Sequence, residues 1–188
     1  MAIQVAELTL EERDAKAESA QAAGLTAVLL MAFMPGPVSA IGWIGTVGMT
    51  VNGIADAYGH YDARQDNLGE RVMSILLAGG TGWLLRVAGV SLVSALLSLT
   101  GIGYLGGVMI NLAVGLPLAY AVGKTAQQMY RGEHTGTPLT PDQVGAAVRQ
   151  AYDAAQRTDL AGQLAAGPAT PAADEQVRQA LHAADEGP

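Results

Sequence analysis

The sequence contains no cysteine, only 5% aromatic residues and only 14% charged ones. Soluble domains average about 25% charged residues. Without cysteine there is no disulfide scaffold, zinc finger, iron–sulfur ligand set or thiol nucleophile. Positive charge is scarce too. Ten Lys and Arg stand against 17 Asp and Glu, a formal net charge of −7. A nucleic-acid binder needs a basic footprint, so nucleic acid is not an expected partner. No Walker A pattern occurs. Gly101-Ile102-Gly103 does not continue into a dinucleotide fingerprint, and no acidic residue follows at the required distance. Ser91, Ser94 and Ser98 have no base nearby. No catalytic residue and no cofactor are expected, and the chain reads as non-enzymatic.

Half of the 188 residues are hydrophobic and 24 are glycine. The placement of the charges is more informative than their number. Residues 1–18 carry Glu7, Glu11, Glu12, Arg13, Asp14, Lys16 and Glu18. Residues 19–55 carry none. A polar stretch follows, with Asp56, His60, Asp62, Arg64, Asp66, Glu70 and Arg71. Residues 87–123 are again uncharged, and Arg86 stands alone just before them. A membrane-spanning helix needs about 20 mostly apolar residues. Residues 104–122 nearly meet that requirement; residues 20–34 are stopped by Pro35-Gly36-Pro37, which cannot continue a helix.

This pattern predicts an all-α fold built on two apolar helical hairpins. Residues 20–34 and 38–55 form the first, with its tip at Pro35, Gly36 and Pro37. Residues 72–99 and 104–122 form the second, with its tip at Thr100-Gly101-Ile102-Gly103. Both tips are uncharged. Arg13, Lys16, Arg64, Arg71, Lys124 and Arg131 then share one side, which the positive-inside rule makes cytoplasmic. The expected location is the cytoplasmic (inner) membrane, with the lipid bilayer as partner and the tails facing the cytoplasm. No signal peptide is expected, because residues 1–19 are acidic and lack a basic start.

Four regions follow. Residues 1–18 begin a polar N-terminal helix, and residues 19–131 form the apolar, membrane-associated domain. Residues 132–164 hold a linker and an amphipathic helix, and residues 165–188 a flexible linker and a short C-terminal helix. Thr9-Leu10-Glu11-Glu12 and Thr140-Pro141-Asp142-Gln143 are capping boxes that start helices. The second helix gathers Val144, Val148, Ala151, Tyr152 and Ala155 on one face. From Lys124 onward the composition is that of a soluble, alanine-rich tail.

Gly103, Gly107, Asn111, Gly115, Ala119 and Gly123 recur every four residues, a continuous stripe of small residues on a helix. Such stripes let helix backbones approach closely. Two readings are open: packing between the two hairpins of one chain, which is favoured, and self-association into a homo-oligomer, in the extreme around a pore. Gly45, Thr46, Gly48, Thr50 and Gly53 give the second segment a similar face. Pro117 predicts a kink. Arg86 is the candidate intramembrane charge, although a position near an interface would let it snorkel. Tyr58, His60, Asp62 and Asp66 gather an imidazole and carboxylates, but metal binding needs three or four converging ligands, so a solvated loop is expected and no metal.

Several of these features together resemble the domain-of-unknown-function 697 family of bacterial membrane-associated helical domains, over residues 13–131. Met34-Pro35-Gly36-Pro37 is similar to the family's Pro-x-Pro turn after an alanine-rich apolar segment. Residues 47–59 resemble its helix ending in Tyr-Gly, and residues 68–77 the amphipathic helix that follows. Thr100-Gly101-Ile102-Gly103 is similar to its Pro-Gly-x-Gly turn, with Thr100 in place of the proline. Residues 120–126 resemble its closing helix, followed by an aromatic residue at Tyr130. Val38-Ser39-Ala40 stands where the family often has an acidic residue. The resemblance implies a helical, membrane-engaging module without catalytic residues. Family members are often fused to small GTPase domains, which implies a GTPase partner in trans for this chain.

Overall fold

A computed structural model describes residues 8–34, 37–60, 68–83, 108 and 111–165. Those residues are helical or in turns, as the hydrophobic patterning predicts for an all-α bundle. Helix α1 spans Leu10–Met31 and α2 Pro37–Ala57. Helix α3 spans Leu68–Ala78. A π-helical turn at Asn111–Gly115 leads into α4, Leu116–His134. Helix α5 spans Pro141–Gln156 and α6 Leu160–Ala165.

The chain writes its own helix starts. The Thr9 hydroxyl accepts from the Glu12 N–H at 3.3 Å, and the Glu12 carboxylate accepts from the Thr9 N–H at 2.7 Å. These bonds satisfy two donors that a helix start leaves without partners, and they hold the Glu12 carboxyl below its usual value. Thr140 and Gln143 repeat the arrangement at α5. The polar N-terminal helix and the first apolar segment are one continuous helix. Of the expected first tip, Pro37 is already the first residue of α2, a position where its missing N–H costs nothing. Pro35 and Gly36 lie outside the described residues.

Helices α1 and α2 pack as a hairpin. Their approach is close because α1 offers a glycine: a Cβ on Gly24 would lie 1.9 Å from the Thr50 hydroxyl oxygen. That hydroxyl is buried and donates to the Thr46 carbonyl at 2.8 Å. Gly53 faces Ala20 in the same seam. Thr50 and Gly53 therefore serve contact with α1, as small residues in an apolar helix suggest, and Thr46 is buried, whereas Gly45 faces open space.

Helix α4 lies at the centre and packs on α1, α2, α3, α5 and α6. Its first two turns are buried on almost every side, from Leu116 to Gly123. A helix that is apolar all round has no solvent face and goes to the middle. The soluble tail does not begin at Lys124. Helix α4 continues to His134, with Thr125, Ala126, Gln127 and Tyr130 buried, because these residues return every few positions to the inner side. Pro117 stands in the first turn of α4. It has no N–H to give to the carbonyl four residues earlier, and the wider π turn immediately precedes it.

Helix α5 docks on α4 and α3 through Val144, Val148, Tyr152 and Ala155, which are buried as the sequence periodicity predicts. Helix α3 stops at Gly79-Gly80, where Gly80 takes φ 97°. The Arg149 guanidinium donates to the Gly79 carbonyl at 2.7 Å. Gly145 lets α5 come close enough for this, since a Cβ there would lie 2.1 Å from the Ala78 carbonyl oxygen. Trp83 meets Tyr152 edge to face at 5.5 Å. The second expected hairpin tip, with Gly101 and Gly103, lies outside the described residues, as does the short helix expected over 174–184.

Candidate functional site

The α1–α2 hairpin has two chemically different ends. At its base, α1, α2 and α4 are tied by one polar network. The Tyr58 hydroxyl donates to Asp14 Oδ1 at 2.5 Å, a length typical of a charge-assisted O–H···O⁻ bond. Arg131 Nε donates to both Asp14 oxygens at 3.1 Å. Arg13 Nη1 donates to the Ala57 carbonyl at the end of α2, at 3.2 Å. Nearby, His60 Nε2 lies 3.7 Å from Glu133 Oε2, and the His60 ring is 5.3 Å from Tyr130. Lys124 faces Glu18 at 3.9 Å.

Burial first, then the hydrogen bond and charge of Asp14, push the Tyr58 hydroxyl up to about 12. Tyr58 is thereby kept as a neutral donor. Asp14 is committed to Tyr58 and Arg131. The network is a clasp. Because the folded value lies above that of an unfolded tyrosine, about 10, the stabilisation is complete below about pH 10 and is lost as pH rises through about 12. Replacing Tyr58 with Phe is expected to cost about 2 kcal/mol at neutral pH, the usual loss for a hydrogen bond to a charged group. The variant should also lose part of the alkaline fall in stability. Urea melts across that pH range check both effects; parallel alkaline limbs would remove Tyr58 as the titrating group.

The other end of the hairpin has no charge at all between Glu18 and Asp56. Instead it exposes large apolar side chains. Leu30 is 62% exposed, Phe33 52%, Met34 45% and Ile44 53%; Met49, 65% exposed, lies midway along α2. Phe33 is the chain's one phenylalanine. The outward face of α1 changes character along its length. Glu11, Glu12, Lys16 and Glu18 are exposed in its first half; Ala22, Ala23, Thr26 and Leu30 are exposed in its second. The Thr26 hydroxyl donates to the Ala22 carbonyl at 3.0 Å, so this polar group is satisfied within the helix.

The small-residue stripe is described only in its second half. Gly115 faces Trp43 of α2, whose indole Nε1 donates to the Gly115 carbonyl at 3.1 Å. Ala119 is buried, and Gly123 faces the Gln21 side chain of α1. These three positions thus pack within one chain. Asn111 opens the π turn. Gly103, Gly107 and the candidate intramembrane charge Arg86 lie outside the described residues. Of the imidazole–carboxylate run, Tyr58 belongs to the clasp and His60 faces Glu133, while Asp62 and Asp66 lie outside. Among the described residues no three His, Asp or Glu side chains converge as metal ligands.

Sequence reasoning missed the clasp, because Asp14 and Arg131 are 117 residues apart and neither belongs to a motif. It also missed Gln21, which is buried between α1 and α4. Its Nε2 donates to the Tyr120 carbonyl at 3.4 Å, while Oε1 has no partner among the described residues. An unsatisfied buried carbonyl costs about 1–3 kcal/mol, more than one long hydrogen bond contributes. Gln21→Met, of similar shape, is therefore expected to stabilise the fold by about 1 kcal/mol. A lower melting temperature for that variant would mean that Oε1 has a partner.

No described helix is long and apolar enough to cross a membrane. Of residues 104–122, the segment closest to a spanning helix, 104–107 and 109–110 lie outside the described residues, and its last seven residues form the buried start of α4 behind the π turn. The chain matches no protein-family model, no curated protein and no solved structure.

Proposed function

We propose that the chain is a non-enzymatic, membrane-associated helical module. The apolar end of the α1–α2 hairpin meets the lipid bilayer, and the charged base stays in water. The module then acts as an anchor, scaffold or membrane-remodelling partner through helix–helix association. The observation that carries this reading is the exposure of Leu30, Phe33, Met34 and Ile44 toward the turn of a hairpin that carries no charge from residue 19 to residue 55. Large apolar patches on a soluble surface mark interaction sites. Arg13, Lys16, Lys124 and Arg131 all belong to the opposite end, which favours the cytoplasmic face of the inner membrane. The resemblance to the domain-of-unknown-function 697 family supports the same reading and suggests a GTPase partner in trans.

Membrane fractionation of the full chain tests this. The protein should stay with the membrane pellet through an alkaline carbonate wash and be released by detergent. Recovery in the supernatant as a discrete oligomer would replace the proposal with a second reading. In that reading, copies of a soluble interaction protein cover Ile44 and Met49, which α1 leaves exposed on α2.

A further inference from the structure

We propose that the α1–α2 hairpin enters a single leaflet and selects bilayers by loose acyl packing, not by headgroup charge. This rests on the membrane reading above and adds the class of lipid surface to it. Two observations carry it, one of length and one of charge.

The length comes from α1. Its exposed face loses its last charge at Glu18, and the helix ends at Met31. Twelve residue steps from Ser19 at about 1.5 Å give an uncharged column of about 18 Å. The hydrocarbon of a bilayer is about 30 Å thick, or about 15 Å per leaflet. The column fits one leaflet and is too short for two. Immersion to Ser19 places the Glu18 carboxylate and its neighbour Lys124 at the headgroups, where water still solvates them. Thr26 lies inside the column with its hydroxyl bonded to the Ala22 carbonyl, so it brings no unsatisfied donor into hydrocarbon.

The charge argument concerns the same surface. No lysine or arginine occurs between Lys16 and Arg64, so the entering face offers nothing to an anionic phosphate. At the base, Arg13 is held by the Ala57 carbonyl, Arg131 by Asp14, and Lys124 faces Glu18. The chain as a whole is negative by 7 charges, which repels anionic lipid. Affinity must then come from burying Leu30, Phe33 and Met34. That burial is easiest where acyl chains leave gaps, as in unsaturated or strongly curved bilayers.

The test uses the full chain with Trp83→Phe, which leaves Trp43 as the one tryptophan. Trp43 lies six residues into α2, about 9 Å from its start, and so about mid-leaflet in the inserted hairpin. Flotation with small sonicated dioleoylphosphatidylcholine vesicles should give binding about tenfold stronger than with large vesicles of saturated phosphatidylcholine. Adding dioleoylphosphatidylserine should not strengthen it, and raising the salt concentration should not weaken it. Brominated lipids should quench Trp43 most when the bromines sit in the upper half of the acyl chain. A requirement for the serine lipid, or release by salt, overturns packing selection while leaving membrane binding intact. Strongest quenching by bromines at the chain ends overturns single-leaflet depth. Binding to no vesicle at all removes the membrane reading, and this proposal with it.

Discussion

Gly145→Ala lowers the stability of the bundle by about 2 kcal/mol, and its melting temperature by about 6 °C. The added methyl would sit 2.1 Å from the Ala78 carbonyl oxygen, which is backbone at the end of α3 and cannot rotate away. Helices α3 and α5 must separate. Overpacking of this kind costs about 3 kcal/mol, and the better helix propensity of alanine returns about 1 kcal/mol. The separation also draws Arg149 away from the Gly79 carbonyl, and so removes the cap from α3. Thermal and urea melts measure the loss. The Arg149→Ala variant should add little to it, because the two changes break the same contact. An unchanged melting temperature for Gly145→Ala would mean that α5 does not seat against the end of α3.

The second large effect concerns binding and leaves the fold alone. Leu30→Glu combined with Phe33→Glu should abolish vesicle binding while the melting temperature stays within about 2 °C of the parent, since both sites are largely exposed. Placing an ionised group in hydrocarbon costs about 3 kcal/mol per site on insertion scales, or about a hundredfold in partitioning for each substitution. Leu30→Ala with Phe33→Ala should weaken binding by less, because it removes apolar area without adding charge. Flotation of the three proteins against the same vesicles gives the order. Equal binding by the glutamate variant and the parent would show that the hairpin end is not the lipid-contacting surface.

The parts of the fold that were legible in the sequence are those set by near neighbours. Thr9–Glu12 and Thr140–Gln143 close hydrogen bonds over three residues, so their spacing alone marks both helix starts. The inner face of α5 follows from the helical period. The uncharged run around residues 35–37 marks the end of the hairpin, and the exposed Phe33 and Met34 beside it are the candidate site. What composition obscured was the second half of α4. Lys124, Gln127, Gln128, Arg131 and Glu133 make that stretch look like a solvated tail, yet Ala126 and Tyr130 are buried in the core. The clasp was invisible for a different reason. Asp14 of α1, Tyr58 just past the end of α2 and Arg131 of α4 meet only after the bundle has closed. Gly24 gave no local sign either, since its role depends on the Thr50 hydroxyl across the seam.

The central position of α4 has a consequence for the order of synthesis. Asp14 and its partner Arg131 are separated by 117 residues. A ribosome adding about 5–20 residues per second needs roughly 6–23 s to cover that interval, whereas a helical hairpin closes in far less than a second. Once α2 is complete at Ala57, 74 residues remain before Arg131, and for roughly 4–15 s α1 and α2 exist without the whole of α4. Their inner residues, Ala17, Gln21, Leu25 and Val28, then have only each other to pack against. The first surface the nascent hairpin meets, whether chaperone or bilayer, meets it before the bundle exists. The proposed encounter of the hairpin with lipid would thus be a competition in time with the elongation of its own chain.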